Sequence, residues 1–444
     1  MVNQPNTSAQ SVEARVDRKV KVRILPFILL LYIVAFLDRI NIGFAALTMN
    51  PELGITSQQF GLLAGIFFIS YFICEIPSNL LLHKIGARVW LARILITWGI
   101  VASLTGFVQT LNQLYVARFL LGLAEGGYFP GMLLYLTYWF RQRDQAQAIA
   151  FVLIGIPLTS IVGAPVSGII LDHVHWLGLS SWRWLLILEG LPAVVCGVLT
   201  YYLLPNRPAE ARFLTNEEKD WVIGRLKLEE EEKRRISPLS ATRALLDGRV
   251  WHLACIAFTL ATAVYIASFW MPQIVEALSS RSSNTMVGFL VMIPNVAGLL
   301  LMLVISRNSD RTQERRWHTA VPAFVGGLAC LSLGATHSMI LSIALLALFA
   351  VGFYGAMAPF WALPSEFLTG SSAASGIALV ASIGTVGGLF GPYAAGFIRH
   401  RTGSLLGGVA VAGIALLALA TLVLLLPRVT PGQSNRLARS SSDS

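Results

Sequence analysis

Twelve apolar windows of about 20 residues divide this chain, and each is long enough to cross the hydrocarbon core of a bilayer as a helix. They lie near 25–47, 58–81, 91–110, 113–139, 146–171, 183–204, 251–275, 286–306, 318–336, 338–363, 373–398 and 404–426. Lipid offers no partner to backbone N–H and C=O groups, so each window must satisfy its own backbone as a helix; the windows are too long and too evenly apolar for barrel strands. The predicted fold class is an all-α membrane protein with twelve transmembrane helices. Composition agrees: 55% of the 444 residues are hydrophobic and 13% are charged, about half the charged share of a soluble domain.

Lysine and arginine sort by side. With the N-terminus in the cytoplasm, 26 of the 33 fall in cytoplasmic segments and only Arg183, Arg281, Arg399 and Arg401 fall outside. This asymmetry predicts a multi-pass protein of the inner (plasma) membrane with both termini cytoplasmic. Anionic inner-leaflet lipid accounts for the net charge of +10 without nucleic acid. No small-residue cleavage site follows the first window, so no signal peptide is expected. Cys74, Cys196, Cys255 and Cys330 sit in apolar stretches without C-x-x-C spacing and read as small buried hydrophobes. His173 and His175 stand two apart in a predicted external loop and make a poor metal pair, so no metal is expected.

The longest polar segment divides the windows six and six. The predicted organisation is a cytoplasmic N-terminal segment at 1–24, a six-helix bundle at 25–204, a cytoplasmic linker at 205–249, a second six-helix bundle at 250–427 and a disordered cytoplasmic tail at 428–444. Within the linker, Thr215 and Glu218 form a capping-box pattern. Acids at 229–231 stand four residues before Lys233, Arg234 and Arg235, as on a solvated amphipathic helix.

Charges inside the windows carry the function. Asp38 and Arg39 stand side by side in the first, where a charge at the helix centre costs about 2.5–3.5 kcal/mol on insertion scales. Arg118 and Glu125 share one face of the fourth, two turns apart, among Gly122, Gly126, Gly127 and Gly131, which allow a neighbouring helix close. The bland reading of the fourth window is a buried ion pair that only orients helices. Asp38 and Arg39 diverge by about 100° around their helix, yet both can border a cavity facing Arg118 and Glu125. Arginine keeps its charge and grips a carboxylate bidentately, whereas a desolvated Asp or Glu can take up and release a proton. That division of labour suits a proton-driven carboxylate importer. No nucleophile elbow, phosphate loop or metal cluster points to an enzyme.

Two short basic loops recur at equivalent places, HKIGARVW with Lys84 and Arg88, and SRNSDRTQERRWH with Asp310 and Arg311. They resemble the loop motif of the major facilitator superfamily, which implies a cytoplasmic latch between the halves; His83 stands where that motif usually has Asp. The matching loops suggest a duplicated six-helix unit. LDRINIGFAAL, GIFFISYFICEIPSNLLLHKIGARVWLARI, RFLLGLAEGGYFPG, WRWLLILEGLPA, SFWMPQIV and FWALPSEF together resemble the anion:cation symporter family of that superfamily, over essentially the whole chain. That family includes proton symporters for sugar acids, tartrate, phthalate and hydroxyphenylacetate. The resemblance implies Asp38 and Glu125 as proton-coupling acids, and Arg39, Tyr71 and Arg118 as anion-binding groups. It also implies two pseudo-symmetric bundles working by alternating access.

Two departures bear on substrate. Ile156 occupies the place where sugar-acid members carry a hydroxyl-reading glutamine, and Ala381 to Thr385 replace an N-S-I-G-N pattern. A site without those amides gains less from a polyhydroxylated anion and tolerates apolar surface better, so smaller or aromatic carboxylates are expected. The second half has few charges in its windows and offers Tyr265, Trp361 and Ser365 to the body of the substrate, with Trp270, Gln273, Asn295, Tyr354 and Tyr393 as weaker candidates. Glu75 and Glu189 read as structural. The expected partners are a small organic anion, protons and lipid around a monomer, with no cofactor beyond the proton gradient. An exchanger or efflux carrier on the same fold is the alternative, and a non-transporting nutrient sensor a further one.

Overall fold

The computed structural model describes residues 7–235, 246–279, 282–367 and 371–426; the tail at 428–444 and the Ser365 side chain lie outside the described residues. The first bundle contains α1 (Thr7–Leu53), α2 (Ser57–Ile85), α3 (Ala87–Thr105), α4 (Leu111–Glu125) with α5 (Tyr128–Thr137), α6 (Gln142–Leu153) with α7 (Gly155–His173), and α8 (Ser181–Leu203). A connecting helix, α9 (Asn216–Arg235), leads to α10 (Gly248–Leu278), α11 (Asn284–Thr312), α12 (Arg316–Ser332), α13 (Met339–Phe367), α14 (Ser371–Thr402) and α15 (Leu405–Leu425). Twelve helical spans among the described residues are long and apolar enough to cross a membrane.

The two halves repeat one packing scheme. In the first, α1 packs on α7, α3 on α8 and α2 on α4; in the second, α10 packs on α14, α12 on α15 and α11 on α13. The bundles then meet through two equivalent seams, α2 against α14 and α7 against α11, with α1 against α10 between them.

Three local features depart from the windows. The fourth span is broken rather than continuous: α4 ends at Glu125, Gly127 adopts φ +86°, and α5 restarts at Tyr128. Only glycine takes that backbone without strain, and a Cβ at Gly126 or Gly127 would also strike Cys74 or Ser78. The fifth span is interrupted at Ile154, ahead of Pro157, which has no N–H to continue the ladder. Lastly, α1 runs unbroken from Thr7, where a polar segment was expected to 24. Val12, Val16, Val20 and Ile24 recur every four residues and are all buried. Val16 and Val20 share a small cleft with Trp139, Phe140, Trp221 and Val222.

Helix α9 is tied to this extension. Thr215 and Glu218 form the reciprocal cap, at 2.9 and 3.3 Å, and both Glu218 oxygens accept from Lys19 at 2.8 Å. Burial alone would raise the Glu218 pKa, but Lys19 and the Thr215 N–H outweigh it and hold the carboxyl below its ordinary value. Glu229 reaches across to Arg141 at 3.2 Å.

The seams are tightest at the distal face, the end of the bundles away from the α1 N-terminus. A Cβ built on Gly168 would lie 2.3 Å from the Asn284 carbonyl, on Gly288 2.4 Å from Ala164 O, on Gly396 2.3 Å from Ser57 O and on Gly61 2.6 Å from Pro392 O. Asp172, at the end of α7, accepts from the N–H of Asn284 at 3.1 Å and of Thr285 at 2.7 Å, and from the Asn284 amide at 2.8 Å. A carboxylate of one bundle therefore caps a helix of the other. Asp172→Ala is expected to loosen this closure by about 1–2 kcal/mol, a five- to thirtyfold shift toward distal opening. Spin labels at the exposed Leu177 and Met286 should then show a longer distance population, and an unchanged distribution would count against the cap.

Candidate functional site

Arg39, Glu125, Asp38 and Arg118 come together at the middle of the first bundle. The Arg39 Nε donates to Glu125 Oε1 at 2.9 Å, and its Nη2 pairs with the same oxygen. The remaining Nη1 reaches the Tyr265 hydroxyl at 3.4 Å, across the boundary into the second bundle. Arg39 is 12% exposed at its side chain and Glu125 is fully buried, so the arginine is the partner that borders open space. Glu125 sits here because its helix ends at once afterwards. The break at Gly126 and Gly127 lets α4 lie against α2 so closely that a Cβ at Gly122 would come 2.1 Å from the Ser70 Oγ.

Asp38 points the other way around α1 and is held by different groups. Its Oδ2 accepts from the Trp98 indole at 2.8 Å and its Oδ1 from the Asn41 amide at 3.1 Å. The Arg118 charge acts on both Asp38 and Glu125. Yet Arg118 donates no hydrogen bond among the described residues; its Nε is buried without an acceptor, and the side chain is 2% exposed. A buried guanidinium N–H with no acceptor is costly unless another anion visits. Both arginines lie against one ring, Arg39 at 5.4 Å and Arg118 at 5.6 Å from the Phe67 centroid.

Among the anticipated residues, Tyr71 joins the cluster. Its ring lies 5.2 Å from the Arg39 guanidinium and its hydroxyl accepts the Phe129 N–H at 3.4 Å, just beyond the break in the fourth span. Tyr265 is brought in by Arg39 and by its ring contact with Phe68 at 4.5 Å. Trp361, half-buried on α13, packs on Phe360 at 5.3 Å, and among the described residues no hydrogen bond or ring contact joins it to Arg39 or Arg118. Asn295 and Tyr354 bond each other at 2.9 Å, and Gln273 accepts from Arg399 at 2.8 Å.

The loop residues stay within their own halves. Lys84 and Arg311 are exposed, the Arg88 N–H donates to Asn206 at 3.0 Å, and Asp310 pairs with Arg315. Among the described residues no ion pair joins the first loop to the second. The tightest backbone contacts between the bundles lie at the distal face, away from the predicted latch.

Phe67, Trp98 and Asn41 were not anticipated. Asn41 could have been found, since it stands one turn after Asp38 on the same face. Phe67 and Trp98 lie in uniformly apolar windows, and only the register between helices brings them to the charges. A groove of about 410 Å³ between α3 and α4, lined by Val101, Leu104, Val116 and Leu120, is apolar, faces outward and is separate from this centre.

The sequence profile of the Major Facilitator Superfamily matches residues 28–392. A protein of Agrobacterium vitis, provisionally named as a tartrate transporter, is 42% identical over 96% of this chain and 98% of its own length. The Pseudomonas putida NicT, provisionally named as a metabolite transport protein, is 38% identical over 90% of this chain and 93% of its own. The structure of the xylose transporter XylE from E. coli, in a partially occluded inward open conformation, superposes with a TM-score of 0.71 at 15% identity, covering 91% of this chain and 98% of that one.

Proposed function

Because this chain belongs to the Major Facilitator Superfamily and is a multi-pass membrane transporter, we propose that it imports a small organic carboxylate together with protons across the inner membrane. The observation that carries this reading is the unequal treatment of two arginines: Arg39 is hydrogen-bonded by Glu125, and Arg118 donates to no acceptor among the described residues. A carboxylate substrate and Glu125 compete for Arg39. When Glu125 is protonated it gives up most of its hold, and Arg39 can turn with Arg118 onto the anion. When Glu125 loses its proton it reclaims Arg39, and the anion is released. Substrate binding and protonation are thereby linked at one guanidinium, as symport requires.

Asp38 acts on the other arm. Ionised, it balances the Arg118 charge; protonated, it leaves Arg118 the stronger field for an incoming anion. The aromatic walls, Phe67, Phe68, Tyr71 and Tyr265, favour a compact or planar carboxylate over a long polyol, and the tartrate and metabolite transport named for the relatives fits that size. With the tightest contacts between the bundles at the distal face, the conformation is assigned as closed on that side.

Purified protein in proteoliposomes with an acidic exterior should concentrate a labelled carboxylate, with tartrate as the first probe of a panel. Asp38→Asn and Glu125→Gln should each lower gradient-driven uptake at least about 100-fold, the loss expected when a group essential to coupling is removed, while some counterflow exchange persists. Full gradient-driven uptake in both variants rules out the assignment of these acids. Exchange without any concentration by the wild type assigns the protein as an exchanger.

A further inference from the structure

A third acid is buried beside Asp38. Glu189 on α8 is 3% exposed; its Oε1 accepts from the Ser167 Oγ at 2.7 Å, and its Oε2 has no partner. Asn41, which is fully buried, lies near both Glu189 and Asp38: its amide nitrogen is bonded to Asp38, it acts on the Glu189 carboxyl, and its own Oδ1 accepts nothing. The site thus contains two orphaned acceptors, one on a carboxyl and one on the amide next to it. A proton on Glu189 turns an acceptor into a donor and gives both a use.

Charge counting leads to the same place. Asp38, Glu125 and Glu189 are three buried carboxyls, and among the described residues only Arg39 and Arg118 act on them as cations. Arg39 serves Glu125, and Arg118 faces Asp38 and Glu125. The charged group that acts on Glu189 is Asp38, an acid, from α1; α7 contributes the Ser167 hydroxyl, and no charge from α3 acts on it among the described residues. A buried carboxylate facing a second carboxylate, with no cation of its own, holds a proton instead.

We propose that Glu189 and Asp38, bridged by Asn41, form a second proton-binding unit of the transporter, separate from Glu125. The unit holds one proton. With Asp38 ionised toward Trp98 and Arg118, the proton is on Glu189; when Asp38 takes it up, Glu189 is left ionised, and the total charge of the pair is unchanged. The Ser167 donor makes the unit sensitive to conformation. It stands next to Gly168, whose Cα lies against the Asn284 backbone at the distal seam, so opening that seam moves the group that holds Glu189.

The role in coupling rests on the symport reading above, whereas the proton on Glu189 does not. Infrared pH-difference spectra of the purified full-length protein should contain a protonated-carboxyl band at neutral pH that Glu189→Gln removes. Asp38→Asn should move the titration of that band to lower pH, because a neighbouring negative charge is lost. In proteoliposomes Glu189→Gln should lose at least tenfold of gradient-driven uptake, keep counterflow, and recover partly as Glu189→Asp. A Glu189→Gln spectrum identical to wild type across the titration overturns the inference, as does a band indifferent to Asp38→Asn. Wild-type uptake indifferent to the gradient, with the band present and titrating as described, instead defeats the symport reading and leaves the proton on Glu189 standing.

Discussion

Arg118→Gln is expected to remove carboxylate binding and to leave the protein at least as stable as before. A guanidinium gripping a carboxylate contributes two charge-assisted hydrogen bonds of about 1.5–3 kcal/mol each. Losing both weakens binding by about 100-fold or more. Stability moves differently. In the protein Arg118 donates no hydrogen bond among the described residues and is 2% exposed, so glutamine removes a desolvated charge and breaks no hydrogen bond, and Asp38, the acid that this charge balances, takes up a proton in its place. An ion pair that merely oriented helices would behave oppositely, because removing one partner of a buried pair costs about 3–5 kcal/mol. Isothermal titration with tartrate and a thermal-unfolding scan separate the two. A fall in melting temperature with affinity retained would return Arg118 to a structural role. Arg39→Gln should lose binding and stability together, because it also strips Glu125 of its partner.

The contrast between these arginines also marks where the sequence stops speaking. The seven-residue spacing of Arg118 and Glu125 and the divergence of Asp38 from Arg39 follow from helix geometry alone, and the structure keeps both. Which acid meets which base does not follow. It depends on how α1 and α4 are each placed against their neighbours, for α4 by contacts such as Gly122 on Phe67 and Ser70 of α2, and no window of either helix encodes that register. Glu189 shows the same limit. Read along α8 it is one acid in an apolar run, and its meaning comes from Ser167 and Asn41 on two other helices. The span count was legible because lipid imposes length and apolarity on every crossing segment. The break after Glu125 was readable only as a loss of side chain at Gly126 and Gly127. Left-handed backbone at Gly127 is a choice that glycine permits and the neighbouring α2 enforces. The stripe Val12, Val16, Val20 and Ile24 was readable in principle, but it is diluted by charges and falls below the apolarity that identifies a span.

Filling the distal seam should arrest the transport cycle without unfolding either bundle. Gly168→Val together with Gly396→Val places side chains where a Cβ alone would lie 2.3 Å from a backbone oxygen of the opposite bundle, at Asn284 and Ser57. Backbone cannot yield as a flexible side chain can, and overpacking of this kind costs about 1–3 kcal/mol per site. The two seams share no partners, so the effects should add, and about 5.5 kcal/mol is enough to carry a two-state equilibrium from 1:99 to 99:1. All of that falls on the distal-closed state. With the bundles swung apart at the distal face the valines meet no opposing backbone, and within each helix replacing glycine relieves part of its helix penalty. Uptake should fall to background while tartrate still binds from the distal side, and the Leu177–Met286 label distance should lengthen. Gly122→Val provides the opposite case. Its Cβ would strike Phe67 and Ser70 inside one bundle, so no rocking motion relieves it, and thermal stability should drop in every conformation. Gly224→Ala on α9, with nothing within 4 Å, should change neither. If the seam valines lowered thermal stability as Gly122→Val does and left the label distance unmoved, the glycines would be serving packing within the bundles, and the seams would not be the surfaces that part during transport.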